Sequence, residues 1–316
     1  MTNRGSPYYL GIDIGGTNIR LGIVDGKGKV LIRYRIPTLK EQGKDKVIAR
    51  LLRAIEFIIR KAGRPVKGIG IGCPGPLDGK RGIVLSPPNL PDWKGVPLKK
   101  IVEKKFRLPV ILENDANLIG LGENWRGAGK NASSMVLLTL GTGIGSALIL
   151  DKKLWSGSGG FASEFGHVSI NLNGPRCGCG NRGCIEVYAS ATAVVRRLKE
   201  ALKKGETSRV FKSTKDNITA DRIYLAAKKG DRLSRRIVDE TGLYLGAAVA
   251  NIVNALNPEM IVISGGMAKA GKPFLDKIKE TVKERALKES RRGLKIVLGK
   301  LGEDAGIIGA VKFRGI

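Results

Sequence analysis

The chain has little of several residue types that particular functions require. Its 316 residues include one histidine, His167, and four cysteines, and aromatic residues make up only 5%. No apolar run reaches the roughly 18 residues that a membrane-spanning helix needs, and the first residues lack the pattern of a secretory signal. We therefore expect a soluble cytoplasmic protein with no membrane partner. The scarcity of aromatic side chains also argues against single-stranded nucleic-acid binding, which uses them as stacking platforms.

Acidic residues are half as numerous as basic ones. The 28 Asp and Glu residues stand against 56 Lys and Arg residues, which gives a formal net charge of +28. A strongly basic chain can indicate nucleic-acid binding. However, no zinc-finger, homeodomain or RNA-recognition pattern is present, and lysine and arginine also coat solvated helix faces, so we expect no specific nucleic-acid partner. A single glutamine, Gln42, beside abundant lysine is typical of a thermophile.

The pattern of apolar residues predicts an α/β protein in which strands alternate with helices. Residues 8–36 read as three short strands, and residues 134–154 repeat the same order of strand, glycine turn and strand. Such a repeat predicts two lobes built on one plan. We expect an N-terminal lobe over residues 1–113, with 303–316 packing back onto it, and a larger C-terminal lobe over 114–302. Helices are predicted near 44–62, across 186–257 and over 273–288, and further strands over 67–73, 108–114, 260–266 and 294–301.

Three glycine turns follow predicted strands. They are Gly15-Gly16-Thr17, Gly141-Thr142-Gly143 and Gly265-Gly266. A backbone without Cβ atoms can bring its N–H groups against phosphate oxygens, and a threonine hydroxyl adds a donor. Each turn taken alone is better explained as an ordinary hairpin turn, but the presence of three, two of them in repeated hairpins, favours a phosphate site. Asp13, which precedes the first turn, could orient a magnesium ion through water.

The cysteines point to a metal site. Cys177, Cys179 and Cys184 crowd into eight residues, and His167 precedes them. One imidazole and three thiolates form a closed tetrahedral set for zinc, which leaves no open position and indicates a structural ion. The alternative is a hydrogen-bonded histidine beside reduced cysteines. Cys73 stands alone and is expected to be a small buried apolar residue.

Several carboxylates are candidates for chemistry. Asn114 is placed to cap a helix, with Asp115 in its first turn, where the helix dipole favours a charged carboxylate. Asp115 could accept a hydroxyl proton during phosphoryl transfer, or the pair could simply be capping residues. Glu164 and Glu186 flank the zinc-ligand pattern and suit a polyhydroxylated ligand, although surface glutamates are the alternative.

Taken together, these motifs resemble the ROK family, which groups sugar kinases with related transcriptional repressors. The most specific part is EFGH at 164–167 followed by CGCGNRGCIE at 177–186. DIGGTN at 13–18, GCPGPLD at 72–78, NLPDW at 89–93, LGTGIG at 140–145 and ISGGM at 263–267 follow in the expected order. The resemblance implies the actin-like ATPase (ribonuclease H-like) fold, with two α/β lobes around a cleft.

The resemblance also implies a role for each motif residue. Asp115 would be the general base. His167 would hold zinc with one ring nitrogen and a sugar hydroxyl with the other. The implied sugar-binding residues are Asn114, Glu164, His167, Glu186, Gly75 and Asn89. The implied nucleotide-binding residues are Asp13, Gly15, Gly16, Thr17, Asn18, Gly141, Thr142, Gly143, Gly265 and Gly266. Two departures are Asn18, where many relatives carry Lys, and Ser163, where Gly is common.

The function implied by the resemblance is phosphorylation of the 6-hydroxyl of a hexose by ATP, with Mg²⁺ and structural Zn²⁺ as cofactors. Glucose is the first choice, because NLPDW before VPL resembles the glucokinase-like members, and this places the enzyme in glycolysis. Mannose, fructose, allose and N-acetylmannosamine remain alternatives. A non-catalytic sugar-binding regulator is a further alternative, although the family's repressors carry a helix-turn-helix ahead of the first phosphate loop and Asp13 lies near the start. A homodimer or tetramer is expected.

Overall fold

The computed structural model describes residues 6–87 and 90–313. Its strands are β1 Tyr8–Ile14, β2 Asn18–Asp25, β3 Val30–Pro37, β4 Val66–Cys73, β5 Leu77–Asp78, β6 Ile83–Val84, β7 Val110–Asn114, β8 Met135–Leu140, β9 Ile144–Leu150, β10 Lys153–Leu154, β11 Met260–Ser264 and β12 Lys295–Leu298. Its α-helices are α1 Lys44–Lys61, α2 Leu98–Phe106, α3 Asp115–Arg126, α4 Glu186–Ala189, α5 Ala191–Lys203, α6 Ala220–Lys228, α7 Arg232–Leu256, α8 Lys272–Arg285 and α9 Ala305–Phe313. Short 3-10 turns occupy Lys40–Gln42, Pro91–Trp93, Phe165–His167, Gly266–Ala270 and Gly302–Asp304.

The first sheet has the strand order β3-β2-β1-β4-β7. β1, β2 and β3 are the three strands predicted over residues 8–36 and form an antiparallel meander, and β4 and β7 extend the sheet as parallel strands beside β1. Alternate residues of β1 (Leu10, Ile12 and Ile14) are buried in a core that also contains the apolar stripe of α1. On the opposite face α9 lies very close to β1. A Cβ atom on Gly11 would lie only 2.2 Å from the Ile307 carbonyl oxygen, so glycine at this position allows the close packing.

The second sheet has the order β10-β9-β8-β11-β12. β11 is parallel to both β8 and β12, and β9 follows β8 after a three-residue turn. The two sheets therefore share one plan, as the repeated hairpin predicted, and the α/β class is confirmed. The stretch 186–257 was expected to be helical throughout; it holds four helices, with residues 204–219 outside them. Among the described helices, none has both the length and the apolar character for crossing a bilayer.

The chain divides into two compact units. The first comprises Met1–Ser133, Ala147–Ser163 and Lys300–Ile316, and the second comprises Ser134–Ser146 and Glu164–Gly299. By this division α3 belongs to the first unit, whereas the sequence pattern placed a boundary at residue 113. The physical reason is that α3 packs on α9: a Cβ atom on Gly122 would lie 2.1 Å from the Ala305 carbonyl oxygen. The functional division into two lobes stays a prediction.

Candidate functional site

The first glycine turn joins β1 to β2 and is held by a residue that sequence patterns do not reveal. Gly15 donates its N–H to the Asn18 carbonyl at 2.9 Å, which closes the turn. The buried Thr38 donates its hydroxyl to the Gly15 carbonyl at 2.6 Å. Its N–H bonds the Thr17 carbonyl at 2.8 Å. Because Thr38 binds both carbonyls, it fixes the peptide planes of the turn, including the orientation of the intervening N–H groups.

Asp13 lies on β1 just before this turn. Burial raises the pKa of its carboxyl above the ordinary value, while the neighbouring Arg20 opposes the shift. Arg20 Nη1 lies 3.4 Å from Asp13 Oδ2. On the other side, a Cβ atom on Gly306 would lie 3.3 Å from the Asp13 carboxyl carbon. The carboxylate is therefore enclosed by β2 and by the start of α9.

The capping role predicted for Asn114 is confirmed. Its side-chain oxygen accepts the N–H groups of Ala116 at 2.9 Å and Asn117 at 3.2 Å. Its amide nitrogen lies 3.4 Å from the carbonyl of Gly75, so these two predicted sugar-binding residues come together. Asp115 is the first residue of α3 and accepts the Ala116 N–H at 2.9 Å. The N-terminal end of a helix dipole stabilises this carboxylate in its charged form.

The second glycine turn lies between β8 and β9 and is tied to the start of α5. Gly141 accepts the Ala191 N–H at 2.9 Å. Thr142 accepts the Thr192 hydroxyl at 2.8 Å. The third turn, Gly265-Gly266, follows β11, whose Ser264 is opposite Thr139 of β8. Gly265 has φ 87°, and a Cβ atom there would lie 2.4 Å from the Leu140 carbonyl oxygen, so only glycine fits beside the end of β8.

Glu186 is held directly beside the second turn. Its Oε2 accepts the Ile144 N–H at 2.9 Å. A Cβ atom on Gly143 would lie 2.4 Å from the same oxygen, so the missing side chain makes room for the carboxylate. Glu186 Oε1 also lies 3.8 Å from the Cys177 sulfur. The structure therefore brings Glu186, the Gly141–Gly143 turn and the cysteine loop into one neighbourhood.

The predicted zinc ligands form a cluster whose size fits the ion. The ligand atoms of His167, Cys177, Cys179 and Cys184 all lie within 4.8 Å of one another. The Cys177 sulfur is 3.6 Å from His167 Nδ1, and the sulfurs of Cys179 and Cys184 are 3.7 Å apart. Zinc bonds of about 2.3 Å to sulfur and 2.0 Å to nitrogen set tetrahedral edges of about 3.5–3.8 Å. The donor set and these two distances are therefore compatible with a zinc ion.

The three thiols of the cluster differ in their surroundings. Burial raises the pKa values of the Cys177 and Cys184 thiols, whereas a backbone hydrogen bond from Asn181 lowers the pKa of the Cys179 thiol. Three adjacent thiolates would repel one another unless a cation neutralised them. Since Nδ1 of His167 faces the sulfurs, Nε2 is the ring nitrogen left to face another partner.

Glu164 lies beside His167 on the same short turn. The His167 N–H donates to the Glu164 carbonyl at 3.0 Å. Partial loss of hydration raises the pKa of the Glu164 carboxyl. The negative charge of Glu186 adds to this shift, and His167 opposes it. Ser163 just before it has φ 70°, a left-handed conformation that favours glycine, which gives a physical reason for the glycine that is common there.

A cavity of about 320 Å³ lies within the second unit. It adjoins the second glycine turn at Thr142, the carboxylate of Glu186 and the start of α5. Arg176 and Arg196 supply positive charge to its lining. Arg196 is also paired with Glu200 at 2.7 Å, and Glu186 adds a carboxylate, so the lining carries charges of both signs.

The predicted residues fall into two sets. The first unit contains Asp13, Gly15, Gly16, Thr17, Asn18, Gly75, Asn114 and Asp115, and the second contains Gly141, Thr142, Gly143, Glu164, His167, Glu186, Gly265 and Gly266 together with the three cysteines of the zinc cluster. Asn89 lies outside the described residues. The assignment of these residues to one reaction stays a prediction. Thr38, which holds the first turn from 23 residues away, carried no recognisable motif.

Comparison with known proteins gives a consistent result. The chain is 40% identical over 303 residues to the glucokinase of Thermotoga maritima, covering 95% of both chains. It is 38% identical to the xylose repressor of Caldicellulosiruptor bescii, covering 98% of this chain and 78% of the repressor. The solved ROK family glucokinase of Streptomyces griseus, in complex with glucose and AMPPNP, superposes with a TM-score of 0.85 at 34% identity, covering 97% and 98% of the two chains. The fold is thus the actin-like ATPase fold. The ROK family model matches residues 9–314, and the chain belongs to the ROK family.

Proposed function

We propose that this protein is an ATP-dependent hexokinase that phosphorylates the 6-hydroxyl of a hexose, with glucose as the preferred acceptor. The observation that carries the proposal is the carboxylate of Asp115 at the capped start of α3, in a chain 40% identical to a glucokinase. A structural relative was solved with glucose and AMPPNP together, which supports this pair of substrates. Mannose, fructose, allose and N-acetylmannosamine are the other acceptors to test.

The acceptor sugar is assigned to the polar groups of the predicted sugar-binding set. Asn114 presents an amide beside Gly75, with Asn89 as a further predicted contact. Glu164, His167 and Glu186 supply two carboxylates and an imidazole nitrogen around the zinc cluster. Several fixed hydrogen-bonding groups suit a ligand with a hydroxyl on nearly every carbon, since each hydroxyl can both donate and accept.

Asp115 is assigned as the general base. A carboxylate in the first turn of a helix lies at the positive end of the helix dipole, which favours its charge. It accepts the proton of the sugar hydroxyl as the oxygen attacks phosphorus. Phosphoryl transfer depends mainly on positioning and charge stabilisation, so the backbone hydrogen bond that orients Asp115 matters as much as its basicity.

The nucleotide is assigned to the three glycine turns. Backbone N–H groups of Gly15–Thr17 and Gly141–Gly143, with the Thr17 and Thr142 hydroxyls, bind phosphate oxygens, and Gly265-Gly266 lies against the adenosine. Asp13 and Asn18 complete the set, and Asp13 would be the residue that orients Mg²⁺ through water. A bound magnesium ion would neutralise phosphate charge, and zinc held by His167 and the three cysteines would fix the loop that carries Glu186.

The first test is ADP formation by the purified protein with MgATP and a panel of hexoses and N-acetylhexosamines. We expect rapid ADP formation with glucose and none without sugar. The product is then identified as the 6-phosphate by its reaction with a dehydrogenase specific for glucose 6-phosphate. Absence of turnover with every sugar, in folded protein that contains zinc, would overturn the proposal.

The second candidate is a sugar-binding regulator, and the 38% identity to a xylose repressor is the observation that favours it. A gel-shift assay with duplex DNA at physiological salt separates the two functions, because phosphate-driven binding weakens steeply as salt rises. We expect no shift of random duplex DNA under these conditions. A cytoplasmic location, a heat-adapted source and assembly as a homodimer or tetramer stay predictions.

A further inference from the structure

An arginine stands beside the first glycine turn without belonging to any of the motifs. Asp13 on β1 and Arg20 on β2 are direct partners across the antiparallel ladder, so their side chains leave the same face of the sheet. Arg20 Nη1 lies 3.4 Å from Asp13 Oδ2, and Nη2 lies 3.2 Å from Glu303 Oε1, just before α9. Two carboxylates on different elements thus hold the guanidinium across the end of the hairpin.

The guanidinium lies close to the turn itself. A Cβ atom built on Gly15 would be 3.9 Å from Arg20 Nη1, which is van der Waals contact. Residues 14–19 read Ile-Gly-Gly-Thr-Asn-Ile and contain no cation. Backbone N–H groups alone carry partial charge, whereas the phosphates of a nucleotide carry full negative charges. Arg20 is therefore placed to supply the cation that the turn lacks.

The geometry of Arg20 differs from that of an arginine engaged only in an ion pair. On the neighbouring strand, Arg33 forms a closed two-point contact with Asp304, with Nε–Oδ1 at 2.9 Å and Nη2–Oδ2 at 2.6 Å. Arg20 instead makes two longer single contacts with two different acids. Its Nε is buried and has no hydrogen-bond partner among the described residues. The contacts with protein therefore leave part of the five-donor guanidinium unused.

We propose that Arg20 contacts the transferred phosphoryl group of ATP and stabilises the negative charge on its oxygens, while Asp13 and Glu303 hold the guanidinium in place. The inference rests on the proposed function, since it takes the first glycine turn as the phosphate site. The charge on the three oxygens of the transferred group must be balanced throughout the reaction, and a positioned arginine is well suited to this. Arg20 thus acts by direct contact with the substrate.

The test compares Arg20→Met and Arg20→Lys with Arg35→Met as a matched control. Arg35 on β3 also faces Glu303, at 3.9 Å, but is largely exposed. Calorimetry with Mg²⁺ measures the binding of AMPPNP and of AMP to each variant. We expect Arg20→Met to weaken AMPPNP binding about 10- to 100-fold and AMP binding less than about 2-fold, because only AMPPNP carries the terminal phosphate. Arg35→Met should leave both affinities within about 2-fold.

Turnover gives a second readout. If wild-type protein phosphorylates a hexose, Arg20→Met should lower kcat by at least about 100-fold with an unchanged KM for the hexose. Arg20→Lys should restore part of the AMPPNP affinity and less of kcat, because an ammonium keeps the charge but loses the planar fork. Thermal unfolding of each variant monitors folding.

The outcomes separate this inference from the proposed function. Equal losses of AMPPNP and AMP affinity in Arg20→Met, or a lower unfolding temperature with unchanged affinities, would make Arg20 a structural ion-pair residue and overturn the inference. Wild-type protein that binds AMPPNP but phosphorylates no sugar would overturn the proposed function, while the ratio of affinities would still decide the role of Arg20. Wild-type protein that binds neither nucleotide would overturn both.

Discussion

The carboxylate of Asp115 stands in the first turn of α3, where Asn114 caps the helix and the Ala116 N–H binds Asp115 Oδ1 at 2.9 Å. Substitution by asparagine keeps the size and the hydrogen-bonding oxygen but removes the ability to take up a proton. We expect Asp115→Asn to lower kcat by at least about 100-fold through loss of the general base. The free energy of unfolding should change by less than about 1 kcal/mol, the usual contribution of a charge near a helix end.

Steady-state ADP formation and thermal unfolding check this prediction together. Asp45→Asn is the matched control, because Asp45 is an exposed acid in the first turn of α1 and has no assigned role. The control should retain full turnover and similar stability. If Asp115→Asn kept near-normal kcat, Asp115 would be removed from the mechanism and the proton acceptor would have to be another group.

At the scale of single residues, the sequence was sufficient to predict the placement of side chains that interact with residues near them in the chain. The N-cap at Asn114 belongs to this class, as does the clustering of His167, Cys177, Cys179 and Cys184, since capping and short metal loops are set by nearby residues. Thr38 and Arg20 belong to another class. The threonine acts on a turn 23 residues away and the arginine pairs with an acid 283 residues away. No local pattern encodes such contacts.

Among the structural elements, the loop from His167 to Cys184 is the one that the proposed zinc ion would hold. Cys179 is exposed, so replacing it removes a zinc ligand without opening a cavity in the core. We expect Cys179→Ala to lose bound zinc and to unfold at a lower temperature, because the free energy of structural zinc binding is also free energy of folding. Metal content by mass spectrometry and thermal unfolding on the same samples test this.

Cys73→Ala distinguishes loss of metal from loss of any cysteine. Cys73 is fully buried in the first core and lies outside the cluster, so this variant should lose some stability through its cavity but keep one zinc per chain. Wild-type protein that contained no zinc and yet unfolded at the same temperature after treatment with a chelator would contradict the assignment of the site.

The segment that connects β12 to α9 is held by hydrogen bonds to a buried glutamate in α3. Glu123 is completely buried, and its carboxylate accepts N–H groups from Ala128 at 2.7 Å, Lys300 at 3.1 Å and Leu301 at 2.8 Å. Glu123→Gln replaces one accepting oxygen by an NH₂ group that faces backbone donors. We expect the free energy of unfolding to fall by about 2–4 kcal/mol, since hydrogen bonds to a charged acceptor are lost and a donor is left unsatisfied.

Urea unfolding measures this loss, and Glu56→Gln serves as the control. Glu56 pairs with Arg60 and Lys105 on the surface, where such ion pairs contribute less than about 1 kcal/mol. If Glu123→Gln matched the control, the three backbone contacts would contribute little and α9 would be held by its apolar packing alone.

The order of elements in each sheet was only partly visible in the sequence. The strands and the repeated hairpin follow from periodicity and glycine turns, and the structure confirms them. Residues 303–316 were expected to pack on the N-terminal lobe, but the closeness of α9 to its neighbours did not follow from periodicity. It depends on glycines at three separate elements, Gly11, Gly70 and Gly122, whose missing side chains allow α9 to approach β1, β4 and α3. Such close approach is a property of the assembled chain.

The net charge of +28 is a property of the whole molecule, and we expect it to act on charged ligands through the electrostatic field around the protein. MgATP carries net negative charge and a hexose carries none. A basic surface attracts the nucleotide over a distance set by salt, from about 30 Å at 0.01 M to about 8 Å at 0.15 M ionic strength. We therefore expect kcat/KM for MgATP to fall about 3- to 10-fold between these concentrations.

The neutral substrate provides the internal control. With MgATP saturating, the KM for glucose should stay constant over the same range of potassium chloride, because no long-range field acts on an uncharged sugar. Initial rates at several concentrations of each substrate separate the two parameters. If both KM values rose together, salt would be acting on the stability or closure of the protein. If neither changed, the positive charges would be too evenly distributed to guide MgATP, and the excess of lysine and arginine would serve solvation alone.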